Sequence, residues 1–180
     1  MTIFIALLRA VNLAGLNKVG MAALRDLVSD LGFDEPKTLL QSGNVVFSGR
    51  ARSSAALESS LEKAAASQLG VTTDFFVRTA EEWKKIIAAN PFPKEANSDP
   101  GHLLMVCLKD APARKRAAEL TAATPGREIV RVKGRQAYVI YPDGVGRSKL
   151  TMALIEKKLG TRGTARNWNT VLKLGRAADA

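Results

Sequence analysis

Arg9, Asn12, Asn17 and Lys18 stand close together in RAVNLAGLNKVGM, residues 9–21, with glycines at 15 and 20. An apolar strand runs into this stretch and a patterned helix runs out of it. The polar residues therefore sit on a loop ending near a helix N-terminus, where unpaired backbone amides favour anions. Two further strings share the chemistry. LQSGNVVF, residues 40–47, holds Gln41, Ser42 and Asn44; TARNWNTVLKL, residues 164–174, holds Arg166, Asn167, Asn169 and Thr170. None of the three contains Asp or Glu. Donors without carboxylates suit recognition of phosphate, carboxylate or base edges. They suit general acid–base catalysis poorly, because that needs a group titrating near neutrality.

Each string also has a structural reading. Ser42-Gly43-Asn44 fits turn chemistry, and Asn169 or Thr170 fits a helix cap, since short polar side chains bond to nearby backbone. A cap or turn does not require the cations Arg9 and Lys18. Gly15 and Gly20 have the spacing of a phosphate loop, but Met21-Ala22 replaces the Lys-Ser/Thr that would reach phosphates and magnesium. IFIALL, residues 3–8, resembles the first strand of an RNA-recognition motif through Phe4, yet Asn44 and Val46 stand where the third strand needs stacking aromatics. Phe4 and Phe47 are expected in the core. A single His102 and a single Cys107 make no metal-ligand cluster, and no metal or cofactor is expected. Ser42 lacks a nucleophile elbow. Trp168 either anchors the last helix or stacks a ring beside Arg166.

Charge is unevenly placed. The formal net charge is +10, yet residues 1–90 carry ten basic and nine acidic side chains. Residues 127–176 carry twelve basic and three acidic ones, among them Arg147, Lys149 and Arg162. Such a concentration fits a polyanionic or phosphate-bearing partner, or a solvated surface kept for solubility. With 46% hydrophobic and 24% charged residues the composition is globular. No apolar run approaches the roughly 18–20 residues of a membrane span. TIFIALL reads as a core strand rather than a signal peptide. One cysteine makes no internal disulfide, which fits a reducing cytoplasm.

The elements that must position these residues follow from period and punctuation. Residues 2–8 form a strand covered on both faces. Met21, Leu24, Leu27, Val28 and Leu31 mark a helix closed by Gly32. KTLLQSGNVVFSG is either two strands around a tight turn or one bulged strand. Ser53 or Ser54 caps a second helix ending at Gly70, and VTTDFFVR is a strand. The order is β-α-β-β-α-β, the ferredoxin-like arrangement. Residues 79–89 form a helix, and NPFPKEANSDPG reads as a flexible connector. The order then repeats. HLLMVCL is a strand, PARKRAAELTAA a helix with Pro112 near its first turn, REIVRV and RQAYVIY a hairpin at Lys133-Gly134, SKLTMALIEKKLG a helix, TARNW a strand and NTVLKLGRAA a terminal helix. The expected class is α+β: a ferredoxin-like half at 1–79, a helix and connector at 80–101, and a second half with a C-terminal helix at 102–180.

RAVNLAGLNKVGM, LQSGNVVF and TARNWNTVLKL, in this order, resemble the bacterial domain of unknown function 1697 family across essentially the whole chain. The resemblance implies two ferredoxin-like halves and no activity, substrate or catalytic residue. The residues themselves point first to a non-catalytic module binding a phosphate-bearing partner, nucleic acid above all. Arg9, Asn17, Lys18, Arg147, Lys149, Arg162 and Arg166 would meet phosphates; Gln41, Asn44 and Asn167 would give directional bonds. Two alternatives stay open. One is an enzyme acting on a small anionic or phosphorylated substrate in a cleft between the halves. The other is a self-associating scaffold with an exposed apolar surface. The anion reading expects the three strings to meet in one recess.

Overall fold

The computed structural model describes all 180 residues. Its strands are β1 (Thr2–Leu8), β2 (Asp34–Thr38), β3 (Asn44–Gly49), β4 (Phe75–Thr79), β5 (Leu103–Leu108), β6 (Ile129–Lys133), β7 (Gln136–Ile140) and β8 (Gly163–Asn167). Its helices are α1 (Met21–Asp30), α2 (Ser54–Leu69), α3 (Ala80–Ala88), α4 (Pro93–Ser98), α5 (Arg114–Ala123), α6 (Met152–Leu159) and α7 (Trp168–Asp179). They build two four-stranded antiparallel sheets, ordered β2-β3-β1-β4 and β6-β7-β5-β8. Each half is ferredoxin-like, and α7 closes the chain. The chain divides into unit 1, Met1–Lys85 with Lys173–Ala180, and unit 2, Ile86–Leu172. The division between the units falls inside α3 and α7.

In unit 1, Leu24, Leu27 and Val28 of α1 and Leu57, Leu61, Ala64 and Ala65 of α2 pack on Phe4, Ala6, Leu8, Val45, Phe47, Phe75 and Val77 of the sheet. Ile5, Leu7, Val46 and Phe76, on the opposite sheet face, are buried as well. Phe4 and Phe47 are core residues, their rings 5.8 Å apart, and present no stacking face. In unit 2, Leu104, Val106, Leu108, Ala137 and Val139 meet Leu120, Ile155 and Leu159 of α5 and α6. Cys107 is buried with Leu103, Met105 and Tyr138 on the other face, and Trp168 is buried 6.3 Å from the Tyr138 ring.

Local signals account for most boundaries. The Ser53 hydroxyl accepts from Ala56 N, the Thr151 hydroxyl from Leu154 N, and Gly70 and Gly160 end α2 and α6 in the left-handed conformation. Thr79 and Glu82 form a reciprocal capping box at the start of α3. Two details differ from the sequence reading, a helix within the connector and an added 3₁₀ turn, and of the two alternatives at Ser42-Gly43-Asn44 the structure has the turn. The supposed connector contains α4, whose first residue Pro93 suits a helix start. Pro112 lies just ahead of the Ala113 cap of α5, near its first turn as the sequence suggests. The Ser-Gly-Asn segment is a turn between β2 and β3, and the irregularity lies at Glu35, φ +49°, where the β2–β3 register shifts. Residues Val145–Arg147 form a single 3₁₀ turn that no periodicity announced.

Every sheet edge is obstructed, as exposed ladders invite unwanted pairing. Strand β2 carries Pro36 and the irregularity at Glu35. Along β4, Glu58 Oε1 accepts from Val77 N at 2.8 Å and Glu62 Oε1 accepts from Phe75 N at 2.9 Å. Arg131 Nη1 donates to Val130 O on β6 at 2.9 Å. On β8, Glu156 Oε1 accepts from Gly163 N at 3.3 Å and Arg166 Nη1 donates to Ala165 O at 2.9 Å.

Two tyrosines tie unit 2 together. Tyr138 Oη donates to Ile86 O, and Tyr141 Oη donates to Leu150 O at 2.9 Å. Burial pushes both phenols up to about 12, assisted at Tyr141 by the Glu128 charge. An unfolded tyrosine releases its proton near pH 10, so a folded phenol that keeps it until about 12 contributes stability fully present below about pH 10. That contribution is lost as pH rises towards 12. Urea denaturation at about pH 9 and about pH 11.5 is expected to show a clear loss, and the difference between the two pH values shrinks in Tyr138→Phe.

Candidate functional site

The β1–α1 loop is held by backbone bonds that first fix its entry. Leu8 N donates to Gly43 O at 2.9 Å and Arg9 N donates to Asp74 O at 3.0 Å. The loop then folds back on itself. Ala10, Asn12, Ala14, Gly15 and Asn17 all have φ between 47° and 78°, a region L side chains adopt rarely. Asn12 N donates to Asn17 O at 3.2 Å, and Leu16 N donates to Leu13 O at 2.8 Å. The Asn12 side chain clamps the structure: its Oδ1 accepts from Val19 N at 2.8 Å, and its Nδ2 donates to Val19 O at 3.0 Å and Gln41 O at 2.7 Å. This brings the first and second strings together in unit 1.

Much of the polar chemistry there holds the chain. Asn44 is fully buried, and its Nδ2 donates to Leu39 O at 2.7 Å and Ser42 Oγ at 2.9 Å. Asn17 Nδ2 reaches Ala10 O at 3.4 Å. Arg9 is half-buried, and its carbonyl accepts from the Thr73 hydroxyl at 2.6 Å. Lys18 and Gln41 are exposed. So are Leu13, Leu16 and Leu40, at 60%, 70% and 52%. Sequence reasoning missed this apolar tip; its signal is two leucines flanking Ala14-Gly15, where a turn turns both outward.

The third string lies in unit 2 up to Leu172. Arg166 is buried; its Nη1 donates to Thr164 Oγ1 and Ala165 O, both at 2.9 Å, and burial lowers its pKa to about 10. Asn167 Oδ1 accepts from Thr170 N at 3.1 Å, so Asn167, and neither Asn169 nor Thr170, caps α7. Asn169, Arg147, Lys149 and Arg162 are exposed.

The loop end of unit 2 repeats the bonds of unit 1. Leu108 N donates to Arg135 O at 2.9 Å and Lys109 N to Arg162 O at 3.0 Å, as Leu8 and Arg9 do. Thr161 Oγ1 accepts from Asp110 N at 3.1 Å, close to the place Thr73 holds beside Arg9. The duplication is therefore visible in backbone bonding although no residue-level repeat is. What differs is the following loop: residues 9–20 in unit 1 against residues 109–113 in unit 2. In unit 2, Arg135 Nε donates to Lys109 O at 3.2 Å, and Arg116 Nη1 donates to Lys158 O at 3.4 Å.

Other chemistry lies apart from these segments. His102 Nδ1 is 2.8 Å from Asp99 Oδ2 at the surface, and no group of His, Cys, Asp and Glu is placed to hold a metal ion. A cavity of about 400 Å³ in unit 1 is lined by Thr2, Thr79, Glu81, Lys84 and Asp179, and another of about 240 Å³ by Glu35, Lys37, Val46 and Ser48. None of the candidate site residues lines either. No helix is long and apolar enough to cross a membrane.

A conserved bacterial protein from Streptococcus pneumoniae has a similar solved structure, with a TM-score of 0.77, 20% identity and 98% of each chain covered. At that identity the likeness is one of fold. Among curated proteins none matches the chain. The model of the family described as "Protein of unknown function (DUF1697)" matches residues 1–138, which include the first two strings and end before the third. The chain belongs to this family.

Proposed function

We propose that the protein is a non-catalytic binding module for a phosphate-bearing polyanion, nucleic acid first. The observation that carries this reading is the state of the charges in residues 127–176. Nine of the twelve cations there are exposed. Of the three carboxylates, Asp143 pairs with Arg127 at 3.0 Å, Glu128 Oε1 accepts from Ser148 Oγ at 2.6 Å while its Oε2 is buried without a partner, and Glu156 accepts from Gly163 N. The segment therefore keeps twelve cations against three carboxylates, mostly on exposed side chains of unit 2 with Lys173 and Arg176 in unit 1, an excess that suits phosphate binding. Exposed Lys18 in unit 1 and exposed Arg147, Lys149 and Arg162 in unit 2 are the candidates for phosphate contact in this reading, Arg162 at the loop end of unit 2 and Arg147 and Lys149 beyond the other end of its sheet. Asn12, Asn44, Arg166 and Asn167 act by holding the backbone that presents them.

Phosphate binding releases counterions, so log affinity falls with log salt by about 0.7–0.9 per phosphate neutralised. Fluorescence anisotropy with a labelled oligonucleotide is expected to show affinity falling roughly a thousandfold between 50 and 200 mM salt if about six phosphates are engaged. A flat salt response defeats the reading.

A further inference from the structure

We infer that the loop end of unit 2 is the polyanion surface, and that the partner it fits is a nucleic-acid duplex gripped through its phosphates. This rests on the polyanion reading just given and adds a place and a partner class. The place follows from α5. Arg114, Lys115 and Arg116 occupy its first turn, which contains no acidic residue, and its Ala113 cap makes no side-chain bond. A helix N-terminus is electropositive, so cations there oppose folding of the helix. No other helix of the chain carries such a cluster: α1 starts Met-Ala-Ala, α2 and α6 have hydroxyl caps, and α3 begins with Glu81 and Glu82. A local rule broken at one position points to a use outside folding.

The neighbouring segments add charge of the same sign. The bonds from Lys109 to Arg162 and Arg135 bring the β5–α5 loop, the β6–β7 turn and the α6–β8 loop together beside α5. Arg116 leans across to Lys158 O, and its Nη1 would lie 2.8 Å from a Cβ at Gly160, so glycine leaves room for it. Arg114 and Lys115 are exposed and make no ion pair; Glu119, one turn along, does not reach Lys115. Asp110 is the carboxylate in the loop, and its backbone N–H is tied to Thr161.

The partner class follows from the aromatics. Single-strand binders stack bases on exposed rings. Here eight of the ten aromatic side chains are buried, and Phe33 and Phe92 are half-buried. Both sheet faces, where ferredoxin-like binders display such rings, are closed. What the surface offers is cations on fixed backbone, which suits the regular phosphates of a duplex and reads no sequence.

The test uses the full chain and the double variant Arg114→Glu with Lys115→Glu. Acids in a first helical turn favour the helix, so thermal unfolding is expected at the parental temperature or slightly above. Duplex affinity at low salt is expected to fall at least about tenfold, and the salt slope to drop by about two. Arg50→Glu with Arg52→Glu, an equal charge change on exposed residues of unit 1, is expected to do much less. If the α5 variant binds duplex as the parent does while parental binding stays salt-dependent, the location is wrong and the polyanion reading survives. If the parent binds neither duplex nor single strand, both fall. If a single strand binds more tightly than a duplex of equal length, or polyglutamate competes as well as the duplex, the partner class is overturned.

Discussion

Replacing Glu58 with alanine is expected to destabilise the protein by about 3–5 kcal/mol, read as a lower urea midpoint. Glu58 is 5% exposed and Arg78 is 2% exposed. The Glu58 Oε1 accepts from Val77 N at 2.8 Å and lies 3.8 Å from Arg78 Nη1, which donates in turn to Val77 O at 2.8 Å. One carboxylate thus seals an edge-strand amide and balances a buried guanidinium. Alanine removes both services and leaves the cation in the interior. A buried pair is weak evidence for net stability, but breaking one half of it is severe. Two comparisons separate the terms. Glu58→Gln keeps an acceptor for Val77 N and loses only the charge, so it is expected to cost less than alanine. Arg78→Met added to Glu58→Ala removes the buried cation that has lost this carboxylate and is expected to recover part of the loss. If the double variant is no more stable than Glu58→Ala, the charge argument is wrong and the strand-capping bond carries the effect.

The sequence made the architecture legible because its signals are local. Six consecutive apolar residues in β1, the Ser53 cap and the αL glycine at 70 are each read within a few positions, and the element order follows. The α3 capping box was also written in the sequence, as Thr79 and Glu82. The site was less legible because its chemistry is decided by partners far along the chain. Nothing near Asn12 announces Gln41, twenty-nine residues on, yet that bond joins the two loops of unit 1. Arg166 reads as a free cation until β8 is placed at a sheet edge, where its guanidinium turns back onto its own strand. The cations of α5 fall outside residues 127–176, where charge is most lopsided, and net charge alone does not show that they oppose a helix dipole. That conflict exists only once the helix start is fixed between Ala113 and Arg114.

Gly43 is a position in unit 1 where a single methyl group meets both backbone strain and buried side chains. Its φ is +80°, a conformation costing a side chain about 1 kcal/mol or more. A Cβ added there would also lie 2.7 Å from Val11 Cγ2 and 2.8 Å from Leu8 Cβ. Val11 and Leu8 are both buried, so neither can swing away into solvent. Overpacking of this kind costs about 1–3 kcal/mol, and with the backbone term Gly43→Ala is expected to lose roughly 2–4 kcal/mol. The carbonyl of Gly43 accepts from Leu8 N, so any shift that relieves the clash pulls on the bond that starts the β1–α1 loop. Asn12 transmits the movement, because its amide grips Gln41 O on one side and Val19 on the other. Amide exchange should therefore accelerate at Leu8 and Val19 together, beyond the global loss of stability. Gly15→Ala is the control: its φ is +78°, but a Cβ there meets nothing within 4 Å. It should show the backbone term alone, and if the two substitutions cost the same, packing against Val11 and Leu8 is not what makes glycine necessary at residue 43.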